Sequence, residues 1–159
     1  MNVGSGNSFD GNGSLYQSNF ATGSIYKIAP DGVIEDNNYA TIAGPVGITA
    51  TNDNTLYVCS CNSNSVKKIT PDGIVQDFAT SPFFNCANGI TIDDDENLYT
   101  TNFSDGNIVK ITPDGEAQLL GNTPVGNGHI IFRSQDQMLY IASYSGHQIF
   151  RMDLSGNVE

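Results

Sequence analysis

Few side chains in this sequence can do chemistry alone, and their spacing limits what they can do together. The thiols are Cys59, Cys61 and Cys86. No histidine stands at zinc-ligand spacing from them, so a zinc site is not expected. The imidazoles are His129 and His147. A histidine can act as a general base. No Ser, Cys or acid is tied to His129 by a motif, so no triad can be argued and a surface or structural role is the stronger reading. His147 falls in a turn and receives no role. Asp93-Asp94-Asp95-Glu96 is the densest acidic run. Clustered hard oxygens suit Ca²⁺, but the spacing is not that of an EF-hand, and a solvated turn is the expected reading. No cofactor is assigned, and Ca²⁺ is the one ion with any support. Four of the 6 basic residues, Lys27, Lys68, Lys110 and Arg151, recur at one spacing. Repetition favours pairing with turn or neighbouring-blade carboxylates such as Asp31, Asp72 and Asp114, worth only ~0–1 kcal/mol when exposed.

The elements that hold these residues follow from a repeat. Leu15-Tyr16, Leu56-Tyr57, Leu98-Tyr99 and Leu139-Tyr140 are spaced 41, 42 and 41 residues apart. Pro30-Asp31-Gly32, Pro71-Asp72-Gly73 and Pro113-Asp114-Gly115 keep the same beat, with Leu154-Ser155-Gly156 as a degenerate copy. Gly47-Ile48-Thr49, Gly89-Ile90-Thr91 and Gly128-His129-Ile130 precede the Leu-Tyr pairs. A period of ~40–45 residues fits propeller blades or helical arrays. The content of each unit decides for blades. In the third unit, residues 89–93, 97–101, 107–111 and 116–120 are short runs rich in β-branched and aromatic residues. Turn residues separate them, and they are too short and too interrupted for helices. The Pro-Asp-Gly segments are hairpin turns: proline presets φ and glycine supplies the positive φ at the exit.

The expected fold is therefore all-β: a β-propeller of four-stranded antiparallel blades, at residues 4–43, 44–85, 86–126 and an incomplete 127–159. Such sheets cannot hide both faces alone and stack around an axis. Three arrangements remain open. The ring is completed by a homo-oligomer, by the remainder of a larger propeller, or by this chain alone as four blades. The edge argument favours the first two. Cys61 ends the second strand of one unit, and Cys86 lies in the loop entering the next. Both map to the same face, which predicts a Cys61–Cys86 disulfide and an extracellular or periplasmic location.

Composition sets the remaining bounds. A formal net charge of −11 disfavours nucleic acid and anionic membrane surfaces as partners. No stretch approaches the ~18 apolar residues needed to span a bilayer. Residues Met1 to Gly6 carry neither a basic nor an apolar signal region, so no signal peptide is expected there.

The pattern Asn88-Gly89-Ile90, Leu98-Tyr99-Thr100-Thr101-Asn102 and Ile108 to Gly115 resembles NHL-type repeats. It is also similar to repeats of SMP-30/gluconolactonase-like propellers. The likeness covers residues 5–159 and is specific for fold, since the superfamily holds lactonases, lyases and binding scaffolds. Gluconolactonase-like enzymes hold a divalent cation at the central funnel with Glu, Asn and Asp. The resemblance places the Asn on Asn88 and Asn127, and the Asp position on Asn19, Ser60, Asn102 and Ser143. None of the latter is acidic, and no residue matches the Glu. Neutral amides and hydroxyls are poor partners for a hard cation. No metal and no catalytic residue is assigned, and Asn19, Ser60, Asn88, Asn102, Asn127, His129 and Ser143 remain ligand-binding candidates. The expected function is a non-enzymatic scaffold binding protein or glycan, or self-assembling. Its loops are Asn19-Phe20, Cys61-Asn62, Asn102-Phe103 and Ser143-Tyr144. The alternative is a metal-dependent lactonase- or lyase-like enzyme whose site is partly outside this chain.

Overall fold

The computed structural model describes residues 4–124 and 126–159. Among them are strands and turns but no helix. Strands β1 (Gly4–Phe9), β2 (Leu15–Asn19), β3 (Ser24–Ile28) and β4 (Ile34–Thr41) form one sheet in that order. A second sheet holds β5 (Pro45–Ala50), β6 (Leu56–Ser60), β7 (Ser65–Ile69) and β8 (Val75–Thr80). The third is β9 (Ala87–Ile92), β10 (Leu98–Asn102), β11 (Asn107–Ile111) and β12 (Ala117–Asn122). The last is three-stranded, β13 (Asn127–Arg133), β14 (Met138–Ser143) and β15 (Gln148–Asp153), with a single bridge from Met152 to Val158 beyond it. Every pairing is antiparallel, so the four sheets are propeller blades.

Alternation along each strand sends side chains to both blade faces, and both faces of the second and third blades are apolar because each is sandwiched between neighbours. Leu56, Val58 and Ile69 meet Tyr16, Ile25 and Ala40 of the first blade. From the other face of the second blade, Cys59, Val66 and Ala79 meet Ile90, Leu98, Val109 and Ile111 of the third. Tyr99 and Ile108 of the third meet Ile130, Leu139, Ile141 and Met152 of the last. Each such fully buried aliphatic side chain contributes ~1.5–3 kcal/mol.

The innermost strands pack β1 on β5, β5 on β9 and β9 on β13. This contact explains the glycine of the Gly-Ile-Thr landmark. A Cβ on Gly47 would lie 2.2 Å from the Asn88 carbonyl oxygen, and one on Gly89 would lie 2.6 Å from that of Gly128. Among the described residues, no comparable packing joins β13 to β1.

The Pro-Asp-Gly hairpins have the expected geometry. Gly73 has φ 85°, its N–H donates to Thr70 O at 2.9 Å, and Thr70 N–H donates to Ile74 O at 3.0 Å. The basic residues do not pair with the carboxylates of these turns. Cross-strand register sets Lys68 opposite Tyr57 and Lys110 opposite Tyr99. Their ammonium groups lie 6.0 and 5.8 Å from those ring centroids. Lys27 pairs with Glu35 at 2.9 Å. Asp72 and Asp114 instead accept from the hydroxyls of Thr70 and Thr112, inside their own turns.

Among the described residues, one buried hydroxyl between the blades is left unsatisfied. Thr100 is fully buried, on the same face as Ile90 and Val109, and its hydroxyl has no partner. Val58 and Ile141 fill the matching places in neighbouring blades. An unpaired buried hydroxyl costs about 1–3 kcal/mol. Thr100→Val is therefore expected to stabilise the chain by about 1 kcal/mol, read as a higher urea midpoint. A midpoint at or below that of the parent would contradict this assignment.

Candidate functional site: the aromatic loop face

The loops after the second strand of each blade share one side of the propeller with the segments entering each innermost strand. Backbone bonds tie the two sets together. Cys61 N–H donates to Gly44 O at 3.0 Å, Phe103 N–H to Cys86 O at 2.9 Å, and Tyr144 N–H to Gly126 O at 2.9 Å. The accepting residue has positive φ each time: 59° at Gly44, 55° at Cys86 and 85° at Gly126. Cys86 thus stands where other blades use glycine. It is joined to Cys61 by a disulfide, with the Cα atoms 3.9 Å apart.

The polar residues ending these strands are buried and serve the loops. Asn19 Oδ1 accepts from Ala21 N–H at 3.1 Å and Thr22 N–H at 3.3 Å. Ser60 Oγ donates to Ala43 O and accepts from Ser63 Oγ. Asn102 Nδ2 donates to Phe83 O at 2.7 Å and to Asp105 at 2.9 Å. Ser143 Oγ accepts from Gly146 N–H at 3.1 Å. After Asn19, Asn102 and Ser143 the next residue is an aromatic side chain that points out, and after Ser60 it is the disulfide-bonded Cys61. Phe20, Phe103 and Tyr144 are 43%, 46% and 55% exposed, where side chains of their size usually hide. The rings of Phe103 and Tyr144 stack with centroids 5.2 Å apart.

Two hollows open on this side. One, of ≈ 370 Å³, is lined by Phe20, Val46, Cys61, Cys86, Asn88 and Phe103. The disulfide belongs to its wall, so the lining is apolar except for Asn88. The other, of ≈ 180 Å³, lies along the innermost strands, between Gly6, Gly47, Asn88, Gly89, Gly128 and His129. Asn88 borders both, and its Nδ2 donates to Asn127 O at 3.1 Å. Asn127 is fully buried, with Nδ2 donating to Thr123 Oγ1 at 2.6 Å and Oδ1 unpartnered. His129 is exposed, on the irregular stretch of β13 between Asn127 and Ile130. The structure therefore brings Asn88 and His129 to the axis. It leaves Asn19, Ser60, Asn102 and Ser143 behind the aromatic rim. Sequence reasoning named the Asn-Phe and Ser-Tyr loops but missed Val46, whose place in the wall follows only from the stacking of β1, β5 and β9.

A third cleft, of ≈ 440 Å³, lies at the opposite end of the blades and includes Asp53, Asp93, Asp94 and Glu96. Its carboxylates are partly engaged. Asp93 accepts from the Asp95 and Asn97 amides, and from Tyr99 Oη at 2.8 Å. Burial, and then the Asp93 carboxylate, push the Tyr99 phenol up. Among the described residues, no group of three or more His, Cys, Asp or Glu is placed to hold a metal ion.

Cys59 is the free thiol and is fully buried, which pushes its ionisation up. Thiolate is the reactive form. Iodoacetamide is expected to leave the native, non-reduced chain unlabelled at mildly alkaline pH and to add one group in denaturant. Labelling of the native chain would contradict this packing.

No protein-family model and no curated protein matches the chain. Solved structures do. A streptogramin B lyase superposes with a TM-score of 0.83 at 17% identity, over 99% of this chain and 56% of that one. A catalytically inactive variant of virginiamycin B lyase from Staphylococcus aureus, with quinupristin, gives 0.83 at 22%, over 100% and 55%. A gluconolactonase from Xanthomonas campestris gives 0.85 at 12%, over 100% and 62%. The chain thus spans little more than half of each of these proteins. What it shares with them is the fold: it is a β-propeller of four blades.

Proposed function

We propose that this chain is a binding propeller whose aromatic loop face takes a peptide-like ligand bearing an apolar ring. The observation carrying this reading is the hollow between Phe20 and Phe103, walled by Val46 and the Cys61–Cys86 disulfide. Exposed aromatic residues beside an apolar hollow supply most of the binding energy at such surfaces. The near-absence of polar groups favours an apolar segment over a free sugar, which needs several donors and acceptors. The disulfide also supports an oxidising compartment.

A second reading keeps the chemistry of the similar structures. It makes the chain part of a lyase- or lactonase-like enzyme, with exposed His129 at the axis as the base. The likeness to the lyases and the gluconolactonase favours it. Quinupristin is a probe for both. Calorimetric titration is expected to give saturable binding, about tenfold weaker in Phe103→Ala (~1.4 kcal/mol). The ligand should be recovered unaltered. Conversion of quinupristin, lost in His129→Ala, would instead establish the second reading. No heat in the parent chain would remove the first.

A further inference from the structure

We propose that the uncovered face of the last blade binds the first blade of a second copy of this chain, head to tail. The three interfaces inside the chain are the template for it. In each of the first three blades, one face looks toward the next blade. It carries Tyr16, Ser18 and Ile25, then Tyr57, Cys59 and Val66, then Tyr99, Thr101 and Ile108. Ile25, Val66 and Ile108 are all 0% exposed. The last blade puts Tyr140, Ala142 and Ile149 in the same places. There Ile149 is 70% exposed, and Ile131, on the same face, is 51% exposed.

The first blade has the matching deficit on its other face. Leu56, Leu98 and Leu139 are 0%, 1% and 0% exposed, yet Leu15 at the same position is only half-buried. Ile69, Ile111 and Met152 are fully buried, yet Ile28 is half-buried. Phe9, whose counterparts Ala50, Ile92 and Phe132 pack against the core clusters, is 66% exposed.

A glycine gives independent support. Gly6, Gly47 and Gly89 each lie where a Cβ would fall 2.4, 2.2 and 2.6 Å from a carbonyl oxygen of the next innermost strand. Gly128 occupies the same place in the last blade, and a Cβ there would meet nothing nearer than 3.6 Å, within its own blade. Among the described residues, no strand fills the room at Gly128. At the third interface Thr101 Oγ1 donates to Gly128 O at 2.7 Å. Ala142 offers no such hydroxyl, so that bond has no counterpart at this outer interface.

The interface is directional, with a tyrosine-bearing face meeting a leucine-bearing face. One chain presents one of each, both uncovered, so two copies satisfy all four faces at once. Such a head-to-tail pair closes into a ring of eight blades, within the range propellers adopt.

Light scattering on the full chain tests this. The expected mass is twice the 17.0 kDa of one chain. Ile149→Asp and Gly128→Ala are expected to give the single-chain mass with an unchanged far-UV dichroism spectrum, since the Ile149 side chain is largely exposed and a Cβ at Gly128 would meet only Ala142 O of its own blade. Ile74→Asp, in a turn away from both faces and 54% exposed in the parent, should stay double. A single-chain mass for the parent up to its highest soluble concentration would overturn the proposal. So would a double mass that survives both interface substitutions.

Discussion

Gly47→Ala is expected to destabilise the chain by about 3–4 kcal/mol and lower its Tm by about 10 °C. The added methyl would sit 2.2 Å from the Asn88 carbonyl oxygen and 3.0 Å from the Gly89 Cα. Both are backbone atoms, so no rotamer change relieves the overlap. The innermost strands β5 and β9 must move apart, and that opens the apolar layer in which Cys59 and Val66 meet Ile90 and Val109. Gly32→Ala is the control. Gly32 has φ 86° and nothing within 4 Å of its virtual Cβ. It should lose only about 1–2 kcal/mol, from left-handed backbone strain. Urea unfolding of the two variants separates collision from strain. Equal losses would mean that the blades do not approach along the axis as described.

Loss of the Cys61–Cys86 disulfide is the second large effect. The bond closes a segment with a sequence separation of 25. Restricting an unfolded loop of that length stabilises the folded state by about 3 kcal/mol in the chain-entropy treatment. Reduction is expected to lower Tm by roughly 6–12 °C. The choice of replacement adds a second readout. Cys86 has φ 55°, a conformation that glycine adopts freely and serine does not. Cys61→Ser with Cys86→Gly should therefore retain about 1 kcal/mol more stability than Cys61→Ser with Cys86→Ser. Thermal denaturation with and without reductant checks both statements. A reduced chain as stable as the oxidised one would contradict them. Because Phe103 N–H is held by Cys86 O, reduction should also loosen the aromatic rim.

The blade architecture was legible because its signals are local and repeated. Leu-Tyr fixes a strand with two buried faces, and Pro-Asp-Gly fixes a hairpin. What failed was tertiary. Recurrence in sequence points the lysines at turn or neighbouring-blade carboxylates. Strand register put Lys68 and Lys110 over tyrosine rings instead, and Thr70 and Thr112 took the carboxylates. The wall of the hollow was hidden for a related reason. Val46 comes from one blade, Phe20 from the blade before, and Asn88 and Phe103 from the blade after. No single repeat contains that juxtaposition. Nor does the sequence reveal that Asn102 Oδ1 and Asn127 Oδ1 are buried without partners, because that depends on loop packing.

The most direct test of the account is where a ligand lands. In an NMR titration of the oxidised chain with quinupristin, signals of Phe20, Val46, Phe103 and Tyr144 are predicted to shift together and saturate, while those of His129 stay in place. Shifts centred on His129 and Gly128, with the aromatic rim unmoved, would contradict it.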